Sequence, residues 1–151
     1  MKKLFILPIF LIIFYSCSYE PILLNKKNDF QFVNISISGD NNINEKIKNE
    51  LLRNNGPKKY NINLETIKKK QIVSSNEKGD PVVFKLNIDT LFVLIEENEI
   101  VLKNTINKQA SYNNISDKFE LSQYEESIIK NLAGNISNEI LMSITNLSKW
   151  L

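Results

Sequence analysis

The sequence predicts an α+β domain: four strands in a mostly antiparallel sheet that carries two amphipathic helices on one face, in the order β-α-β-β-β-α. Three observations predict it. Apolar and polar residues alternate with period two in several stretches between Phe30 and Tyr112, while apolar residues recur at helical spacing in two others. An apolar leader precedes them and ends at the only cysteine, so the folded unit starts near Phe30.

The first strand covers Phe30 to Ser38, with Val33, Ile35 and Ile37 on one face and Asn34, Ser36 and Ser38 on the other. Phe30 and Phe32 break this parity, which predicts a bend or bulge near Val33. The chain turns at Gly39, and Asp40 is placed to cap a helix running to about Asn54, with Ile43, Ile47 and Leu51 at i, i+4, i+8 and Leu52 widening the stripe. Gly56 and Pro57 supply the stop. Tyr60, Ile62 and Leu64 open a second strand that Ile67 and Ile72 continue out of phase, and Ser74 to Pro81 reads as a turn-rich loop.

The third strand, Val82 to Ile95, has Phe84, Leu86, Ile88, Phe92 and Leu94 on one parity. Its other face turns apolar at Leu91, Val93 and Ile95, which predicts cover on both sides of that half. The residues EENE close a hairpin, and a returning strand carries Ile100, Leu102 and Ile106 toward Tyr112. Asp117, with Glu120 three residues on, can cap a long final helix. Its stripe is Leu121, Ile128, Leu132, Ile136, Ile140, Ile144 and Leu147, flanked by Tyr124, Ile129 and Leu141. These stripes are core positions, since none has the pattern of a cofactor site.

Residues 1–16 read as an export signal, with Lys2 and Lys3 before an apolar core from Leu4 to Tyr15. The apolar run is short of the roughly twenty residues that cross a bilayer, although an uncleaved anchor is a second reading because a membrane can thin around a short segment. Cys17 follows directly. It has no partner for an internal disulfide, and it sits too near the cleavage point to be a core thiol. Two readings stay open for it: attachment of lipid after cleavage before Cys17, and plain signal cleavage that leaves a free thiol. Ser16 fits the residue that precedes a lipidated cysteine, whereas Phe14 and Tyr15 depart from the usual pattern. Several acyl chains on one residue, at about 0.8 kcal/mol per buried methylene, would hold the protein at a bilayer almost permanently. Residues 17–29 then form a tether, and 30–151 the domain.

Without Lys2 and Lys3 the chain carries 17 basic and 17 acidic residues. That neutrality gives no support to a polyanion-wrapping role, and no nucleic-acid partner is expected. The charge is skewed, however: ten basic and five acidic residues lie between Lys26 and Lys70, against seven and eleven from Gln71 onward. A composition of 22 Asn, 22 Ile and 18 Lys is what a bias toward A and T in the genome produces, so lysine runs carry less weight.

Catalysis is not expected. There is no histidine, the commonest general base and metal ligand, and the single cysteine cannot build a thiolate metal site. Four glycines in all leave no phosphate-binding loop. The adjacent Glu96 and Glu97 fall in a turn, where solvated charge is the expected role. No catalytic residue, metal ligand or cofactor is assigned.

The quoted elements nevertheless form a pattern. CSYEPIL after the signal, VNISISGDNNINEKIKNELL as strand and helix, the hairpin, and ASYNNISDKFELSQYEESIIKNLAGNISNEI together resemble the LPS-assembly lipoprotein LptE family in its alphaproteobacterial form. The most specific points are Cys17, Tyr19 and Pro21, with Ser18 where glycine is common, and Ser111, Tyr112 and Asn113 leading into the last helix. The resemblance implies a lipoprotein on the periplasmic side of the outer membrane, anchored by lipid at Cys17. It further implies a plug in the lumen of the LptD β-barrel that assists its assembly and binds lipopolysaccharide in transit. Lys58, Lys59, Lys68, Lys69 and Lys70 are the candidate contacts to that anionic lipid, set against the plainer reading of a solvated charge run. The alternative function is an envelope lipoprotein that binds a small or lipidic ligand on its own.

Overall fold

A computed structural model describes residues 28–147, so the signal segment, Cys17 and most of the tether lie outside the described residues. The elements are β1 (Phe30–Gly39), α1 (Asn41–Leu51), β2 (Lys58–Ser75), β3 (Pro81–Glu96), β4 (Glu99–Asn113) and α2 (Lys118–Leu147). The expected order is therefore observed. The sheet runs β1-β2-β3-β4, with β1 parallel to β2 and the other two pairings antiparallel. The parallel pair needs a crossover, and α1 provides it.

The β1-to-α1 corner follows from two residues. Gly39 has φ +85°, and a Cβ on it would lie 2.1 Å from Thr66 O, so only glycine fits where β1 ends against β2. Asp40 caps α1 by accepting from the Ile43 amide at 3.1 Å, and its own amide donates to Thr66 O at 2.8 Å. The helix stops at Leu51, three residues before Asn54, in a turn held by the Arg53 and Asn54 amides. Leu52 consequently faces solvent and does not widen the stripe. Gly56 lets the chain pass the start of β1, since a Cβ there would lie 1.9 Å from Phe30 N.

The bulge foreseen near Val33 is present: register shifts between Phe32 and Asn34, and Val33 turns outward at 56% exposure. One extra residue thus lets Phe30 and Phe32 share the inner face with Ile35 and Ile37, and it removes Val33 from the apolar face assigned to it. In β2 the inner set is Tyr60, Ile62, Leu64 and Thr66. The strand then continues without a break through Ile67 and Ile72 to Ser75, which leaves only Asn76 to Asp80 as a turn.

Leu86, Ile88, Thr90, Phe92 and Leu94 form the inner set of β3. Its outer residues Leu91, Val93 and Ile95 are half-exposed, and among the described residues no element lies over them, which corrects the expectation of cover on both faces. Their partial shelter comes from neighbouring strands. Glu97 and Asn98 both take positive φ in the two-residue β3–β4 turn, as the twist of a tight hairpin demands.

Asp117 starts α2 by accepting from the Phe119 and Glu120 amides at 2.7 and 3.0 Å. Leu121, Ile129, Leu132, Ala133, Ile136, Ile140 and Ile144 are buried, Ile128 and Leu141 pack partly, and Tyr124 is largely exposed. Both helices lie on one face of the sheet and pack on each other. Inside this layer the Thr66 and Thr90 hydroxyls satisfy each other at 3.0 Å, and Asn44 donates to Ser38 O at 2.6 Å.

Candidate functional site

The five candidate lysines all belong to β2, and strand geometry separates them. Lys58 and Lys59 open the strand, whereas Lys68, Lys69 and Lys70 lie about 33 Å further along it at about 3.3 Å per residue. Alternation divides them again: Lys58, Lys68 and Lys70 share the parity of Tyr60 and Ile62 and project to the helix side, while Lys59 and Lys69 project to the open side. They do not form one cluster.

On the helix side the charges are taken. The Lys68 ammonium lies 3.0 Å from Asp40 Oδ2 and that of Lys58 3.7 Å from Glu96 Oε1. Lys70 is held most closely, 2.5 Å from Glu125 Oε1 and 4.1 Å from the centre of the Phe84 ring. Tyr112 donates to the same Glu125 oxygen at 2.8 Å and packs against Phe84 and Tyr124. This clasp ties β2, β3 and β4 to the start of α2. A second contact ties α1 to α2, with Lys46 at 2.6 Å from Glu126 and Asn42 donating to the same carboxylate.

The carboxyls respond to these partners. Burial works to raise Glu125, but Lys70 and Tyr112 outweigh it and hold the group below the usual carboxylate range. Asp40 behaves alike, with burial opposed by the Ile43 amide and Lys68. Burial first, and then Glu125, pushes the Tyr112 hydroxyl above its ordinary value. The sequence reading passed over Glu125. Its signal was the alternation of Lys68 and Lys70 on the parity of the buried β2 residues, which points them at whatever covers the sheet.

The open side is different in kind. Asn34 donates to Asn61 at 3.1 Å across β1 and β2, and Asn107 donates to Asp89 across β3 and β4. Ser36, Asn63, Asn87 and Gln109 extend this polar field by parity. At the Phe30 end a cleft of about 470 Å³ opens beside the bulge, with Val33, Pro57 and Ile95 as apolar lining and Lys59, Glu96 and Glu97 as its charged rim. Lys59 and Lys69 make no ion pair among the described residues. No grouping of acidic, histidine or cysteine side chains among the described residues could hold a metal, and none of the described helices is long and apolar enough to cross a membrane.

No protein-family model matches the sequence, and no curated protein matches it. Solved structures do match in shape. Rare lipoprotein B from Shewanella oneidensis superposes with a TM-score of 0.59 at 13% identity, over 76% of this chain and 96% of that one. An uncharacterized lipoprotein B from Nitrosomonas europaea gives 0.59 at 16%, over 83% and 91%. A minor lipoprotein from Acinetobacter baumannii gives 0.56 at 12%, over 79% and 92%. What is shared at these identities is the fold: one sheet with two helices on one face is the architecture of these lipoproteins.

Proposed function

We propose that the chain is a lipoprotein of the outer membrane, anchored through Cys17 on the periplasmic side, that plugs and helps assemble the LptD β-barrel and binds lipopolysaccharide on its way to the cell surface. One observation carries the reading: both helices cover the same face of the sheet, which leaves the other face open, with a field of amide and hydroxyl side chains beside a half-exposed apolar band at Leu91, Val93 and Ile95. The lumen of a large barrel is itself polar, and a surface of this kind can exchange hydrogen bonds with it. The fold shared with solved lipoproteins and the cysteine behind the export signal support the same reading. Lysines of β2 would meet the phosphates of the lipid as point charges.

The cleft beside Val33 favours a second reading, an envelope lipoprotein that holds a small or lipidic ligand on its own, because its apolar lining and charged rim suit an amphipathic molecule. Affinity capture of the full-length chain from detergent-solubilised envelopes separates the two. A large barrel recovered in equal proportion is the outcome expected of a plug. A lone domain that carries lipid supports the second reading. Mass spectrometry of the membrane form tests the anchor: a first residue other than Cys17, or an unmodified thiol there, removes it.

A further inference from the structure

Strand β2 outruns its neighbour. Gly39 is the last β1 residue in register, opposite Thr66, and the Asp40 amide then occupies Thr66 O. From Ile67 to Ser75 the strand is paired with β3 alone, so its other side is an unpaired edge. All nine residues are exposed, and the register stays regular from Ile67 to Ile72, about 20 Å of strand. An edge of this kind presents alternate N–H and C=O groups to any extended chain alongside it.

Three features decide what the edge accepts. The segment bears Lys68, Lys69 and Lys70 and no acidic residue. Lys68 and Lys70 are neutralised on the helix side by Asp40 and Glu125, so the charge left for a newcomer is on the open side, where Lys69 sits opposite Asn87 and diagonal to Lys85. Ile72, opposite Phe84, adds an apolar surface on the helix side at 58% exposure. The two other free edges lack this combination: β1 carries no charged residue, and beyond Ile100, the one strongly exposed apolar residue of β4, the exposed residues of β4 are polar.

We propose that the β2 edge from Ile67 to Ile72 is a docking site for strand addition by an extended segment of another polypeptide, one that alternates acidic side chains toward the open face with apolar side chains toward the helix face. Backbone pairing supplies the affinity in this mode, and side chains supply the choice of partner. A second copy of the chain is the wrong partner, because antiparallel pairing centred on this segment sets the unpaired Lys69 of one copy against that of the other, and like charges directly opposite are destabilising. The lysine that opposes self-pairing therefore selects an acidic strand. The inference stands independently of the barrel reading.

The test uses the full-length chain in detergent micelles and two eight-residue probes, one alternating valine with glutamate and the other valine with lysine. Amide hydrogen exchange should slow at alternate positions from Ile67 to Ile72 with the glutamate probe, and its affinity should exceed that of the lysine probe about tenfold. Lys69→Glu should reverse the preference, with an unchanged melting temperature showing that the fold is intact. No slowing with either probe, equal slowing with both, or slowing that grows with protein concentration in the absence of a probe would overturn the proposal.

Discussion

The two halves of β2 share one strand and one partner, β3, yet have opposite fates. From Lys58 to Thr66 the strand is flanked by β1 and roofed by the helices, and from Tyr60 every second side chain is buried. From Ile67 to Ser75 no side chain is buried, although Ile67, Ile72 and Val73 are as apolar as the residues before them. Apolar character therefore decides burial only where something stands opposite to receive it. The boundary is set by Gly39, where β1 leaves the sheet.

The largest expected effect comes from treating the halves alike. Ile62→Ala should cost about 2 to 5 kcal/mol, the range for truncating a fully buried isoleucine, whereas Ile72→Ala should stay within about 0.5 kcal/mol. Chemical denaturation of both variants checks this, and equal costs would mean that the outer half is covered in solution. Next comes the boundary itself. Gly39→Ala should destabilise by about 1 to 3 kcal/mol, because the new Cβ meets Thr66 O in a backbone region that alanine avoids.

Smaller effects sharpen the comparison across the two faces. Lys70→Gln should cost up to about 1 kcal/mol by releasing Glu125 from its exposed pair, while Lys69→Gln should be silent within about 0.5 kcal/mol. Replacing Lys68, Lys69 and Lys70 together therefore cannot serve as a stability-neutral test of lipid binding. Lys59→Gln with Lys69→Gln is the cleaner pair, and a loss of lipopolysaccharide binding relative to the unsubstituted chain that shrinks as salt is added would support their role. The acid limb gives the smallest effect. Asp40 and Glu125 are held below their unfolded values of about 4, so their contribution is complete above that pH and fades as pH falls through the lower folded values. In acid titrations of stability, Glu125→Gln should flatten this limb.

Much of this architecture was legible in the residues. Period-two and period-3.6 patterns located every strand and both helices, and the clash of Phe30 and Phe32 with the parity of Ile35 foretold the bulge. What failed depended on neighbours. Leu91, Val93 and Ile95 carry the apolar pattern of a doubly covered strand, but both helices lie on the other side, and no local pattern says which face a distant helix will choose. Leu52 fitted the α1 stripe in spacing but falls in the turn after the helix ends. The site was less legible than the fold. Five lysines adjacent in sequence as a pair and a triple became five separate environments, because strand parity, distance along β2 and the position of Glu125, 55 residues beyond Lys70, decide what each one meets.

The mixed pairing of the sheet also orders its assembly in time. Strands β3 and β4 meet across the Glu97–Asn98 turn, starting from the pair Glu96 and Glu99, so their ladder can zip outward from a loop of minimal length. Strand β1 has no such start. Its first pair, Phe30 with Lys58, already spans 28 residues, and the register holds only once α1 has formed and crossed over. Substitutions in the β3–β4 hairpin should therefore slow folding, while those in β1 should chiefly speed unfolding, which makes the parallel strand the last to join and the first to leave.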